Sequence, residues 1–450
     1  MSAVSRYYFV FLMGYFLLLG FRGLGGVLPQ NSYRAAVWLL IVFAFPILAF
    51  NEAYFSFNPG TLAFGAACLA FVMLGSFLMR RVFKQVCPIL ESCMFFLLAI
   101  GLVMLYRLSP GLAMRQLIFA AMGFGMALLV PMVLRVFREF ERLEIVYLLL
   151  SIGMLGIVVT ADVLANTLGL DIPIVAVDQF GATRWLVIGG INFQPSEFVK
   201  FIFVLYLACA FRKPLSFTKL VFVGAASGCV ILILVAQRDL GHALVFFMVF
   251  MVMLYAARGS IMLFGLGLMA MSAASVVAYQ YFPHLRVRVA AWRSPWADIS
   301  NTGFQIAQSL FAIGSWGAFG AGLGLGLPNR IPVVERDMIF AAISEEFGWI
   351  FGLGVIAVYG LMLARGMQLA LRAKRPMYAM MALGYSVIIG FQAFVGIGGN
   401  IGLIPLTGIT LPLMSYGGSS VFVTMIMFGT LQWLAGQEAE FNADEDNELR

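Results

Sequence analysis

Charge is the scarcest commodity in this chain: only 11% of its 450 residues are Asp, Glu, Lys or Arg, against 62% hydrophobic ones. Two histidines, His242 and His284, are too few for a histidine-based metal centre. The five cysteines (Cys68, Cys87, Cys93, Cys209, Cys229) are scattered without metal spacing and read as buried small hydrophobes. No phosphate-cradling P-loop, dinucleotide glycine fingerprint, HExxH or nucleophile elbow is present, which leaves nucleotide-driven transport and zinc proteolysis unsupported. No cleavable signal peptide is evident, since the first apolar run has a weak basic start and no small-residue cleavage site.

What the chain has is long apolar runs. Its mean hydropathy is +0.98, and repeated stretches reach the ~20 residues that a helix needs to cross a bilayer. Leu, Met, Phe and Gly dominate them and strand-type alternation is absent, so the expected fold is an all-α polytopic membrane protein. Thirteen spans are expected, near 7–22, 35–50, 61–79, 90–106, 115–134, 144–165, 195–211, 219–236, 240–257, 260–282, 338–364, 378–398 and 418–435.

Orientation follows from the cations. Arg80, Arg81 and Lys84 form one basic loop; Arg135, Arg138 and Arg142 form another. Arg212, Lys213 and Lys219, the single Arg258, and the group Arg365, Arg372, Lys374 and Arg375 complete the set. With alternating spans all fall on one side, which the positive-inside bias makes cytoplasmic. That bias also accounts for the net charge of +7, so no nucleic-acid partner is expected. The loops 166–194, 283–337 and 399–417 then face outward, and 438–450 forms an acidic cytoplasmic tail.

The outer loop 283–337 breaks the bias, because it carries Arg286, Arg288, Arg293, Arg330 and Arg336. An arginine cluster outside points to phosphate or carboxylate groups. Its segment Gly303–Gly314 is amphipathic and suited to a membrane surface. The glycines from Gly314 to Gly326 exclude a continuous helix.

Ionisable groups in or beside spans are costly and therefore candidate sites. Glu197 and Lys200 lie three apart behind Pro195 and can pair on one helix face. On position alone the pair reads first as an intramembrane ion pair that fixes helix packing and second as a substrate contact. Gln237-Arg-Asp239-Leu-Gly-His242 forms a tight turn between spans. Asp298 lies in an aromatic-flanked loop, where position alone favours a solvated aspartate. Asp337, Glu345 and Glu346 bracket a span start, and two adjacent glutamates inside an apolar stretch are not ordinary caps. The stretch Asn400–Ser420 reads as non-helical backbone at membrane depth, which survives only when buried in protein or lining a wet cavity.

Five blocks carry a resemblance: GATRWLVIGGINFQPSEFVK (Gly181–Lys200), QRDLGHALV (Gln237–Val245), GFQIAQSLFAIGSWG (Gly303–Gly317), IFAAISEEFG (Ile339–Gly348) and NIGLIPLTGITLPLMSYGGSS (Asn400–Ser420). In this order they resemble the signature blocks of the SEDS family (FtsW, RodA and SpoVE), from roughly Glu91 to Gln437. The resemblance implies a ten-helix core, residues 86–437, with residues 1–85 as about three extra membrane helices. It implies a peptidoglycan glycosyltransferase in the bacterial cytoplasmic membrane, active on its outer face. Such enzymes polymerise lipid II, the undecaprenyl-diphosphate-linked precursor, beside a class B penicillin-binding protein, in division, elongation or sporulation.

The family's catalytic aspartate carries over to Asp298 in Ser294-Pro-Trp-Ala-Asp298-Ile299, with Ile299 where a proline is usual and Phe304 where a tyrosine is usual before Gln305. Asp337 is retained, and the polar pair before it differs. Asp298 would act as general base on the acceptor hydroxyl. Substrate contacts are expected from Arg184, Glu197, Lys200, Asp239, Arg286, Arg288, Arg293, Gln305, Asp337, Glu345, Glu346, Asn400, Thr407, Ser415, Tyr416 and Ser419. The departing diphosphate needs arginine or a divalent cation, Mg or Mn, to hold its charge. No cofactor ligand set is recognisable. Two other readings stand beside this one: a flippase for a lipid-linked wall precursor, and a non-catalytic scaffold for a transpeptidase. The polar motifs crowd the outer half and no inverted repeat is found, which favours the enzyme.

Overall fold

A computed structural model of the chain describes residues 2–26, 30–51, 56–136, 139–164, 175–179, 182–188 and 191–448. Arg138 and much of the 166–194 loop lie outside them. In chain order the helices are α1 (Ser2–Leu24), α2 (Gln30–Ala49), α3 (Pro59–Val82), α4 (Pro88–Leu108), α5 (Pro110–Val136), α6 (Glu144–Asp162), α7 (Pro195–Phe211) and α8 (Phe217–Ala236). They continue with α9 (Leu240–Arg258), α10 (Ile261–Tyr281), α11 (Pro283–Arg293), α12 (Phe304–Ser315), α13 (Ile339–Phe347), α14 (Trp349–Arg372), α15 (Pro376–Asn400) and α16 (Gly418–Glu448).

Among the described residues, 12 helices are long and apolar enough to cross a membrane, and α7, at 17 residues, is nearly so. The chain is a multi-pass helical membrane protein. Proline opens α3, α4, α5, α7, α11 and α15, where its missing N–H costs nothing and its φ already suits a helix. Asn58 caps α3 by accepting from the Gly60 amide at 2.9 Å.

Three expectations need correction. The span expected over 338–364 is broken in two. Gly348, with φ +90°, separates the short α13 from α14, and a side chain there would overlap the Ala318 carbonyl. Glu345 and Glu346 therefore lie ahead of the span. Strands are also present: β1 (Phe50–Asn51) pairs β2 (Ser56–Phe57), and β3 (Val175–Gln179), β4 (Ala182–Ile188) and β5 (Ile191–Phe193) form an antiparallel sheet in the 166–194 loop. Cys229 is exposed, whereas the other four cysteines are buried.

The chain divides into two compact units. The first comprises Met1–Pro131, Arg288–Arg365 and Gln392–Arg450. Its axis is α4, with 94% of its apolar window buried. The second comprises Met132–Val287 and Gly366–Phe391. Its core is α7, whose Phe203, Tyr206 and Leu207 are fully buried, and its α10 has no buried residue at all, as a lipid-facing helix would.

Candidate active site

In the first unit, α11 and α12 are joined by a turn holding Asp298. The Asp298 carboxylate accepts from the Thr302 amide at 3.2 Å, the Thr302 hydroxyl at 2.9 Å and the Asn301 side-chain amide at 2.9 Å. Its own carbonyl accepts from the Gly303 amide at 2.9 Å. These bonds, the Thr302 amide foremost, hold its carboxyl below the usual carboxylate range. Asp298 is thus an ionised carboxylate at the protein surface with a fixed direction. Trp296 and Ile299 beside it are exposed.

A second group of expected residues converges at Gly408. A methyl on Gly408 would sit 3.8 Å from Asp337 Oδ2 and 3.9 Å from Arg288 Nη2, so both side chains face this glycine. Arg288 Nη1 donates to the carbonyls of Leu406 (3.2 Å) and Thr407 (3.0 Å). Trp292, one helical turn on, donates to the Gly402 carbonyl at 2.8 Å. The non-helical segment 401–417 is thereby stitched to α11, which answers how backbone without a helix is satisfied there.

Asn400 is the central fastener. It is buried, donates to the Asp337 carbonyl at 2.6 Å, accepts from the Ala341 amide at 3.2 Å, and lends its carbonyl to Ser309 of α12 at 2.7 Å. The Tyr416 amide donates to the Glu335 carbonyl at 2.7 Å, and Ser415 Oγ accepts from the Leu411 amide at 2.8 Å. Gln305 donates to the Pro332 carbonyl at 3.3 Å. Ser419 is buried at the start of α16.

Glu345 and Glu346 turn to the glycine-rich stretch instead. Glu345 accepts from the Leu327 amide at 2.8 Å and Glu346 from the Gly324 amide at 3.0 Å. Arg107 of α4 faces Glu346 at 3.2 Å and donates to the Gly324 and Gly326 carbonyls. The two acids therefore fold the 320–327 loop.

The second unit gathers Arg184, Glu197, Lys200 and Asp239. Lys200 Nζ lies 2.5 Å from Glu197, and Arg184 lies 3.7 Å from Asp239. Between the acids sits His242, with Nε2 at 3.1 Å from Glu197 and Nδ1 at 2.9 Å from Asp239. Glu197, Lys200, Asp239 and His242 are each buried. Arg286 and Arg293, at either end of α11, are exposed.

Sequence reasoning missed His242 as a bridge, Arg107 as a partner for Glu346, and Gln116. Gln116 of α5 is fully buried and binds the Ser415 carbonyl at 2.9 Å and the Gly417 amide at 3.2 Å. A glutamine near the start of one apolar run and an arginine at the end of another were the available signals.

Comparison with known proteins decides the family. The profile of the FtsW, RodA and SpoVE family, described as cell cycle proteins, matches residues 88–440. The chain belongs to the FtsW/RodA/SpoVE family. Among the relatives of this SEDS chain, the peptidoglycan glycosyltransferase RodA of Mycobacterium leprae is 30% identical over 435 residues, 90% of each chain. The probable peptidoglycan glycosyltransferase FtsW of Geobacter sulfurreducens is 34% identical over 355 residues, 74% of this chain and 90% of its own. A chain from a peptidoglycan synthase complex that coordinates polymerization and crosslinking superposes with TM-score 0.65 at 26% identity, over 79% of this SEDS chain and 98% of its own. The rod-shape-determining protein RodA of Thermus thermophilus gives TM-score 0.56 at 25% identity, over 78% and 97%.

Proposed function

We infer that this chain is a peptidoglycan glycosyltransferase that polymerises lipid II at the outer face of the bacterial cytoplasmic membrane, in partnership with a class B penicillin-binding protein. The observation that carries the reading is Asp298: a surface carboxylate aimed and kept ionised by Thr302 and Asn301, in a chain of this family.

In the proposed reaction the acceptor hydroxyl attacks the anomeric carbon of the lipid-linked donor. Asp298 takes the hydroxyl proton, the new glycosidic C–O bond forms, and the bond from the anomeric carbon to the diphosphate oxygen breaks. Undecaprenyl diphosphate leaves with that electron pair. General-base help of this kind is worth typically ~10²–10⁴-fold. Arg286, Arg293 and Arg330 are exposed cations of the outer loop suited to meet the diphosphate, while Arg288 holds the Leu406–Thr407 backbone that carries Gly408. Among the described residues, no three His, Cys, Asp or Glu side chains are placed to hold a metal ion. A Mg or Mn ion would be shared between the diphosphate's oxygens and one or two carboxylates, as Mg commonly is.

The test is reconstitution of the chain with a class B penicillin-binding protein in vesicles containing lipid II. The reading expects long glycan strands. Movement of intact lipid II across the bilayer without polymer would instead establish the flippase, and neither activity would leave the scaffold.

A further inference from the structure

The first three helices precede the family match, which starts at residue 88, yet they are not packed as a loose anchor. Phe16 of α1 stacks on Phe96 of α4 with ring centroids 4.1 Å apart and planes within 5°. Arg34 of α2 makes a two-pronged ion pair with Glu91 of α4, at 3.2 and 2.6 Å, with both side chains at most 3% exposed. Along α14, a side chain on Gly354 would overlap Met13, and one on Gly20 would overlap Leu361.

At the other end α1 reaches the loop that the paired glutamates fold. Phe9, fully buried, packs edge-on against Phe347 at 5.0 Å, and Phe347 stacks on Phe351 at 4.7 Å. Tyr7 packs against Phe319 at 4.9 Å. Phe347 follows Glu346 directly, and Phe319 precedes Gly320 directly, so α1 touches both sides of the glycine loop's attachment. That loop returns four amides to α13: Ala321 and Gly322 to the carbonyls of Glu345 and Glu346, Gly324 and Leu327 to their carboxylates. The opposite end of α13 is tied by Ala341 to Asn400, which also holds Asp337.

We propose that residues 1–85 are a positioning element for the active-site loops: α1, braced on α4 by α2, clamps α13 so that its two ends hold the 320–327 loop and the Asp337–Asn400 junction in working geometry. The polymerisation arm of the test rests on the glycosyltransferase reading above; the packing arm does not. Aromatic pairs of this kind contribute modest but directional energy, and local opening of a loop is governed by such local packing rather than by global stability.

The experiment compares wild type with Phe9→Ala, Tyr7→Ala and the lipid-facing control Phe11→Ala, all as full-length chains in lipid nanodiscs. Hydrogen exchange of the 320–327 amides should speed up at least 10-fold in Phe9→Ala and less in Tyr7→Ala, with peptides from α8 and α9 unchanged and Phe11→Ala matching wild type. With lipid II and the partner transpeptidase, kcat should fall with KM held, and Phe9→Tyr should restore most of it. Unchanged exchange at 320–327 in folded Phe9→Ala and Tyr7→Ala overturns the proposal, as does equal acceleration throughout the chain, which would mark α1 as bulk packing. Should Phe9→Ala not fold, the half-exposed Tyr7 still decides through the same amides. A wild type that makes no polymer counts against the enzymatic reading, and the exchange result then stands alone.

Discussion

Two sites of this chain, one in each unit, hold charge in opposite ways. In the second unit Lys200, Glu197, His242, Asp239 and Arg184 form a chain of contacts of 2.5 to 3.7 Å, and all but Arg184 are almost wholly buried. Each acid there faces a cation on one side and the shared imidazole on the other. In the first unit Asp298 lies at the surface and is served only by neutral donors from its own turn. In the buried network the charges face one another. Among the described residues no cation contacts the Asp298 carboxylate, and the proposed general-base role rests on that exposed, ionised group. Identical residue types thus take different roles according to who satisfies them.

The contrast is broken first at Asp298. Asp298→Asn should lower polymerisation by ~10²–10⁴-fold while leaving thermal unfolding nearly unchanged, since the remaining oxygen can accept from both Thr302 donors and the Asn301 amide can turn its oxygen toward the new NH2. A variant that unfolds early would show Asp298 to be structural after all. The active form is the carboxylate, so activity should be present above its pKa and fall as pH drops through it. Because that pKa is held down by the Thr302 and Asn301 bonds, the acid limb of kcat/KM should lie below about pH 4, the ordinary aspartate value. A limb near pH 6 would assign the essential base elsewhere.

The buried network should respond the other way round. Lys200→Met leaves Glu197 without its 2.5 Å cation, and stripping one partner from a buried pair costs about 3–5 kcal/mol, visible as a large fall in unfolding midpoint. Full stability would mean that water or another group reaches Glu197. Arg288→Lys keeps the charge but loses the fork that reaches Leu406 and Thr407. A loss of about 10–10²-fold in kcat/KM is expected from the displaced loop, and wild-type kinetics would remove Arg288 from the site. Smallest of all is Arg142→Ala. Its pair with Glu139 at 3.0 Å is exposed, and such pairs are worth about 0.2–1 kcal/mol, so denaturation curves should nearly overlay.

The helical membrane fold was legible because hydropathy reports span length directly, and the Glu197–Lys200 pair because helical spacing puts i and i+3 side by side. Asp298 was legible only through its motif; its position alone argued for a solvated loop residue. What stayed hidden depends on backbone conformation or on distant partners. Gly348 divides an apolar run by adopting φ +90°, which hydropathy cannot register. The strands β3 to β5 sit in a loop whose short Val- and Ile-containing runs were overshadowed by the membrane segments. His242 reaches Glu197 across 45 positions of sequence, and Glu346 meets Arg107 across 239. Neither pairing leaves a local pattern. The resemblance supplied the candidate residues, and the structure distinguishes Glu345 and Glu346, which bind loop amides, from Asp298, whose carboxylate lies at the surface.

The most direct measurement is polymerisation of lipid II by the purified chain and its partner transpeptidase, wild type beside Asp298→Ala, with both proteins shown folded and paired. The account predicts long glycan strands from wild type and none from Asp298→Ala. Strands of equal length and rate from both would contradict it, and would take Asp298 out of the mechanism.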